Sequence, residues 1–127
     1  MRNHIAEAEH MDDSFLTNWF TQLRKGILEY CVLKSLEDGP LYGYDLVRRL
    51  RSLDVIVVSE GTIYPLLSRL RKEGLLKTYL EESSEGPARK YYELAARGKK
   101  MLPEMRVAWL KMIEGVENSG RMKGSQK

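Results

Sequence analysis

Apolar side chains recur along this chain at helical spacing in several stretches, and glycine, proline and serine punctuate the gaps between them. Ile27, Leu28, Cys31, Val32, Leu33 and Leu36 stand three and four apart, the stripe of a helix over 24–36. Asp38, Gly39 and Pro40 end it: Gly39 suits a left-handed C-terminal cap, and Pro40 cannot continue the hydrogen-bond ladder. Upstream, Asp12, Asp13 and Ser14 are caps for an amphipathic segment carrying Phe15, Leu16, Trp19, Phe20 and Leu23, which either runs into the next helix or bends at Gly26. Tyr44, Leu46, Val47 and Leu50 predict a short helix ending near Ser52, with Arg48, Arg49 and Arg51 on its exposed face. Residues 55–58 are β-branched but too few for a free-standing strand, and Ser59 after them is a good N-cap.

Ile63, Leu66, Leu67 and Leu70 then predict a third helix over 60–73, stopped by Gly74, with a bend expected at Pro65. Residues 75–80 and 89–94 read as two strands of a hairpin, joined by a Ser-, Gly- and Pro-rich loop over 81–88. From about residue 96 the helical pattern returns, and Leu102, Met105, Trp109, Met112 and Val116 follow steps of three, four, three and four. Pro103 inside this stretch predicts a kink or a split, and the end, SGRMKGSQK, is expected to fray.

Composition narrows the class. A chain of 127 residues, 43% hydrophobic and 31% charged, is expected to form one soluble globular domain and not a multidomain enzyme. No apolar run approaches the ~20 residues that span a bilayer, and the start, MRNHIAEAEHMDD, is acidic where a secretory signal is basic and then apolar. The expected location is therefore cytoplasmic, with no membrane partner. Cys31 is the single cysteine, so a disulfide scaffold is excluded; His4 and His10 have no companions for a zinc site, and no metal or other cofactor is expected. There is no Gly-rich phosphate loop and no nucleophile, base and acid in a recognisable arrangement, so the sequence does not read as an enzyme.

The net charge of +3 names no partner by itself, but its distribution is uneven. Residues 1–38 carry 4 basic and 7 acidic side chains, residues 39–100 carry 12 and 8, and residues 101–127 carry 5 and 3. Positive charge thus gathers in the middle and the tail. Short helices followed by a hairpin give a mainly α fold with a small β-hairpin, the order of a winged helix-turn-helix, in which the third helix enters the major groove. The last helix is an addition whose apolar seam calls for a partner chain. A homodimer would set two recognition helices about one DNA turn apart on a pseudo-palindrome.

Three stretches, RKGILEYCVLKSLEDGPLYGYDLVRRL, SEGTIYPLLSRLRKEGLL and GPARKYYELAARGKK, fall in that order over most of residues 24–100 and resemble the PadR-like transcriptional regulators, especially their shorter branch with one C-terminal helix. The resemblance implies a homodimeric repressor whose winged domain binds double-stranded operator DNA and whose C-terminal helices pair, sometimes around an apolar effector pocket. On this reading residues 1–23 form an N-terminal arm and helix, 24–95 the DNA-binding domain, 96–118 the dimerisation helix and 119–127 a flexible tail. The sequence departs from the family at Ala95, where a threonine usually caps the last helix, and at Pro103. The alternative is a winged-helix module that binds protein without specific DNA binding, which the low net charge and acidic wing tip favour.

Candidate DNA-binding residues follow from what a groove admits. Small or hydrogen-bonding side chains must stand at the start of the recognition helix, and Ser59, Glu60, Gly61 and Thr62 do. Thr62 suits a thymine methyl or a phosphate, Tyr64 a backbone hydrogen bond, and Ser68 and Arg69 lie one to two turns later. The plainer roles are that Ser59 only caps, Gly61 only avoids a clash and Tyr64 only packs. The resemblance implies a phosphate contact for one of Tyr42 and Tyr44, here assigned to Tyr42, and core packing for the other. Arg89 and Lys90 alternate across the strand, so only one of them faces DNA, while Glu81, Glu82 and Glu85 at the wing tip repel phosphate. Tyr91 and Tyr92 are expected to pack. The resemblance also places Trp109 in a site for a small aromatic ligand. Phe20, Ile27, Met105, Met112 and Val116 are further candidates for that pocket, or for a plain dimer seam.

Overall fold

The computed structural model describes residues 14–53 and 59–121. Helix α1 (Ser14–Ser35) is continuous, so the segment beginning at Ser14 runs straight through Gly26 into the predicted helix instead of bending there. It ends at Ser35, one residue early, and unwinds through three backbone bonds from residue i to i−3, the last donated by Gly39 to Leu36. Gly39 therefore does not cap the helix; it turns the chain beyond it, at φ 144°. Strand β1 (Leu41–Tyr42) and helix α2 (Gly43–Arg51) follow directly. Residues 54–58, including the β-branched run, lie outside the described residues, as do the proposed caps Asp12 and Asp13 and both histidines.

Helix α3 (Glu60–Lys72) starts after Ser59 and stops in a Schellman turn. Leu75 donates to the carbonyl of Leu70, Gly74 donates to that of Arg71, and Gly74 takes φ 81°, the left-handed conformation that glycine adopts without a Cβ penalty. The helix runs unbroken past Pro65, and helix α4 (Ala96–Ser119) likewise runs past Pro103, so the predicted split does not occur. The same reason serves both. Each proline frees the carbonyl four residues before it, those of Gly61 and Lys99, and both residues are exposed, where water donates to the freed carbonyl instead.

The wing is longer than its apolar pattern indicates. Strands β2 (Leu76–Ser83) and β3 (Gly86–Leu94) extend through most of the expected loop, leaving a turn at Ser84 and Glu85. Pro87 is tolerated inside β3 because the register slips there: Glu81 pairs with Arg89 but Ser83 with Gly86, so Pro87 and Ala88 face Glu82 across a bulge. β1 adds a third strand, Leu41 opposite Tyr92 and Tyr42 opposite Tyr91, giving an antiparallel sheet in the order β1-β3-β2. Two residues are too few to show a period, which is why the sequence pattern did not reveal this strand.

The core lies between α1, α2, α3 and the inner face of the sheet. Leu33, Leu46, Leu50, Ile63, Leu67 and Leu76 are fully buried, each contributing about 1.5–3 kcal/mol of transfer free energy. Leu102 is the point at which α4 enters this core. Ala95 stands at the N-cap of α4 with no side-chain bond to the first turn, as its methyl side chain requires.

Candidate nucleic-acid interface

The apolar stripe that fixes α3 in the core also decides what it presents outward. Ile63, Leu66, Leu67 and Leu70 are buried, so the opposite line, at steps of four, three and four, is Gly61, Pro65, Ser68 and Lys72. Gly61, Pro65 and Lys72 are exposed and Ser68 is half-buried. Pro65 and Lys72 were not singled out from the sequence: the proline drew notice for its backbone, although the same spacing that buries Leu66 turns Pro65 outward. Thr62 and Tyr64 flank the line, both exposed. Ser59 stands in extended conformation at the N-cap but shares its hydroxyl hydrogen bond with the Thr62 hydroxyl at 3.2 Å, and makes no side-chain bond to the helix backbone. Glu60 reaches toward Arg51 at 3.9 Å, tying the start of α3 to the end of α2.

Tyr64 remains a hydrogen-bond donor at ordinary pH. Partial burial first, then the carboxylate of Glu60 and the phenol of Tyr42, push its phenol up, against the opposing effect of Arg51. Arg69 differs from the rest of the set. Its guanidinium bonds Glu29 of α1 and, at 3.4 Å, Glu73, so it clamps α3 to α1. Arg97 in turn donates to the carbonyl of Glu73 at the end of α3.

A row of tyrosines continues the surface beside α3. Gly43, between Tyr42 and Tyr44, faces the sheet so closely that a Cβ there would meet the Tyr92 ring at 3.2 Å. Because Gly43 takes the inward position with Leu46, Val47 and Leu50, Tyr44 falls outside the buried stripe and is 57% exposed. The expectation that Tyr44 packs in the core is corrected accordingly. Tyr42 is half-buried, 6.3 Å from Tyr44 and 5.8 Å from Tyr91, and Tyr91 stacks on Tyr79 at 5.4 Å with an interplanar angle of 7°. Tyr92 points to the other side and is buried. Arg48 lies 5.9 Å from the centre of the Tyr44 ring, and Arg89 lies 5.1 Å from that of Tyr42. Lys90 pairs with Leu80 on the opposite face of the wing, so the alternation separates it from Arg89.

The second candidate cluster is only partly assembled within one chain. Ile27 and Met105 pack against the core, and Trp109 is half-buried with its ring 6.3 Å from that of Tyr30. Tyr30 was missed in the sequence, though it stands three residues after Ile27 on the same helical face. Phe20 packs edge-on against Trp19 at 5.3 Å. Met112 and Val116 are 65% and 62% exposed, and Val107, Leu110 and Ile113 extend this apolar surface along the outer half of α4. Cys31 is half-buried, and burial pushes its thiol up, away from the thiolate form that reacts. Among the described residues no group of acidic, histidine and cysteine side chains is arranged to hold a metal ion, and no helix is long and apolar enough to cross a membrane.

Residues 32–104, more than half of the chain, match the family model described as the transcriptional regulator PadR-like family. The chain belongs to the PadR-like family. Solved structures of the family agree with its fold. A PadR-like transcriptional regulator from Bacillus cereus is 39% identical, covers 80% of this chain and 99% of its own, and superposes with a TM-score of 0.70. A PadR family regulator from Eggerthella lenta is 32% identical over 87% of this chain and 96% of its own, at a TM-score of 0.76. Bacillus subtilis PadR, solved in complex with operator DNA, is 26% identical over 64% of this chain and 46% of its own, at a TM-score of 0.57. The PadR-like family is one of transcriptional regulators, and the winged helix described above, with its small three-stranded sheet, is its fold.

Proposed function

We propose that this chain is a homodimeric repressor that sets α3 in the major groove of a pseudo-palindromic operator and lays the wing on the adjacent backbone. The observation that carries this reading is the outer line of α3, where a glycine, a proline, a serine and a lysine replace the bulky or acidic side chains that would hold a helix out of a groove. Arg48 and Arg89 add positive charge on the tyrosine row, and the Bacillus subtilis relative solved with operator DNA supports DNA as the partner. The exposed apolar residues of outer α4, with Trp19 and Leu23 on α1, support a second copy as the partner that covers them. Fluorescence anisotropy with a duplex selected by the full-length chain from a random library tests both parts. The expected result is two chains per duplex, with an affinity that falls steeply as salt rises. Binding that is equally tight to any duplex, or one chain per site, counts against the reading.

An aromatic effector would act at Trp109, which is half-buried on Tyr30 and borders the uncovered part of α4. A flat aromatic compound that binds should quench tryptophan fluorescence, and Trp109→Ala should abolish that quenching. Quenching that survives this change and disappears in Trp19→Ala would place the site on α1 instead.

A further inference from the structure

Arg89 stands opposite Glu81 in the β2–β3 register, yet it forms no ion pair among the described residues. Its guanidinium lies over the ring of Tyr42 instead. That ring is held on both sides. The β1–β3 pairing fixes its backbone against Tyr91, and the Tyr91–Tyr79 stack and Tyr44 flank the side chain. A long arginine on an exposed wing otherwise samples many rotamers, and ordering it on binding opposes association. A fixed aromatic face removes part of that cost before the DNA arrives and leaves the guanidinium edge, with its N–H donors, free.

We propose that Tyr42 is a positioning residue for Arg89: its ring face, and not its hydroxyl, contributes to binding by holding the wing arginine toward the phosphate backbone. This rests on the regulator reading above. It differs from a phosphate contact by the Tyr42 hydroxyl, because that contact is lost in phenylalanine whereas the ring face is kept. The row of four tyrosines also links the start of α2 to the wing, so Arg48 and Arg89 lie on one aromatic unit.

The test is a double-mutant cycle on the full-length chain with the selected duplex. Tyr42→Leu should weaken binding about two- to five-fold, the range of an exposed cation–π contact. Tyr42→Phe should bind as the unaltered chain does. Arg89→Gln should lower the slope of log affinity against log salt by about 0.9, one phosphate contact, and Tyr42→Leu should cost nothing further on that background. Tyr42→Phe as weak as Tyr42→Leu, or losses that add in full, overturns the positioning role while leaving the regulator intact. If Tyr42→Leu does not fold, the phenylalanine variant decides alone: retained affinity supports the proposal and lost affinity overturns it. Failure of the unaltered chain to bind any duplex specifically is a separate result that overturns the regulator reading itself.

Discussion

Replacing Gly98 by alanine should destabilise the protein by about 2 kcal/mol or more, the largest effect expected of any single methyl in the chain. A Cβ on Gly98 would stand 2.2 Å from the carbonyl oxygen of Leu75 and 3.2 Å from its carbonyl carbon. Neither atom is the end of a flexible side chain. The same carbonyl accepts the backbone N–H of Ala95 at 3.0 Å, so it is fixed by the bond that starts α4. Relief requires α4 to move away from the turn after α3, which loosens that bond and uncovers Leu94 and Leu102. Alanine gains about 1 kcal/mol over glycine in helix propensity, but overpacking against rigid backbone costs about 1–3 kcal/mol and occasionally more, so the steric effect wins. Urea unfolding at constant pH measures it, with Gly61→Ala as the matched control. Among the described residues, and apart from its chain neighbours and its own helix backbone, the atom nearest a Cβ on Gly61 is the Ser59 hydroxyl oxygen at 3.7 Å, an ordinary contact. Equal urea midpoints for Gly98→Ala and the unaltered chain would show that α4 does not approach Leu75 this closely.

Gly98 also shows where sequence reasoning stops. The sequence around it predicts a wing strand followed by a helix, and both are present, but the closeness of two backbones leaves no hydrophobic period to detect. The helices were legible because each buries a stripe wide enough to repeat: Leu28, Val32 and Leu33 in α1, Ile63, Leu66, Leu67 and Leu70 in α3. Strands at the wing tip were not, since Glu81 and Arg89 are exposed and pair through backbone alone, and Glu82 sits in the bulge. The prolines behave alike: Pro65 and Pro103 each remove a donor, their exposed position lets water satisfy the freed carbonyls, and neither splits its helix.

The candidate site was legible to a similar depth. Small and hydrogen-bonding residues at the start of α3 were apparent from composition alone, and the inward stripe put them outside. What the sequence hid was which side chains engage each other across elements. Arg69 looked equivalent to Arg89, yet forty residues upstream Glu29 claims it, and this pairing exists only once α1 and α3 pack. Tyr44 looked apolar and periodic, but the glycine before it took the inward position. The resemblance carried the fold and named a candidate DNA face, while the aromatic row from Tyr44 to Tyr79 spans four elements, α2, β1, β3 and β2, and came only with the sheet order.

Gly61→Glu should separate protein stability from DNA binding more sharply than any other change. Gly61 is the second residue of α3 and exposed, and among the described residues beyond its chain neighbours and helix backbone only the Ser59 hydroxyl lies within 4 Å of a Cβ there. A glutamate there replaces a poor helix former and places negative charge at a helix N-terminus, where it gains about 0.3–1 kcal/mol from the helix dipole. The folded chain should therefore be as stable as before or slightly more so. On DNA the sign reverses. A carboxylate and two methylenes on the line proposed to face the groove would keep the backbone of α3 from the base edges and would meet the negative field of the phosphates. A lost or blocked base-edge contact costs about 1–3 kcal/mol, and the added charge makes the upper end the better estimate, so affinity should fall on the order of 100-fold. Anisotropy titration beside a thermal melt reads both quantities on one preparation. A protein-binding winged helix that made no use of this face for DNA would show the stability gain with no operator phenotype. A variant that melts higher and still binds the selected duplex at the original affinity would remove α3 from the groove, and with it the main support for the proposed mode of binding.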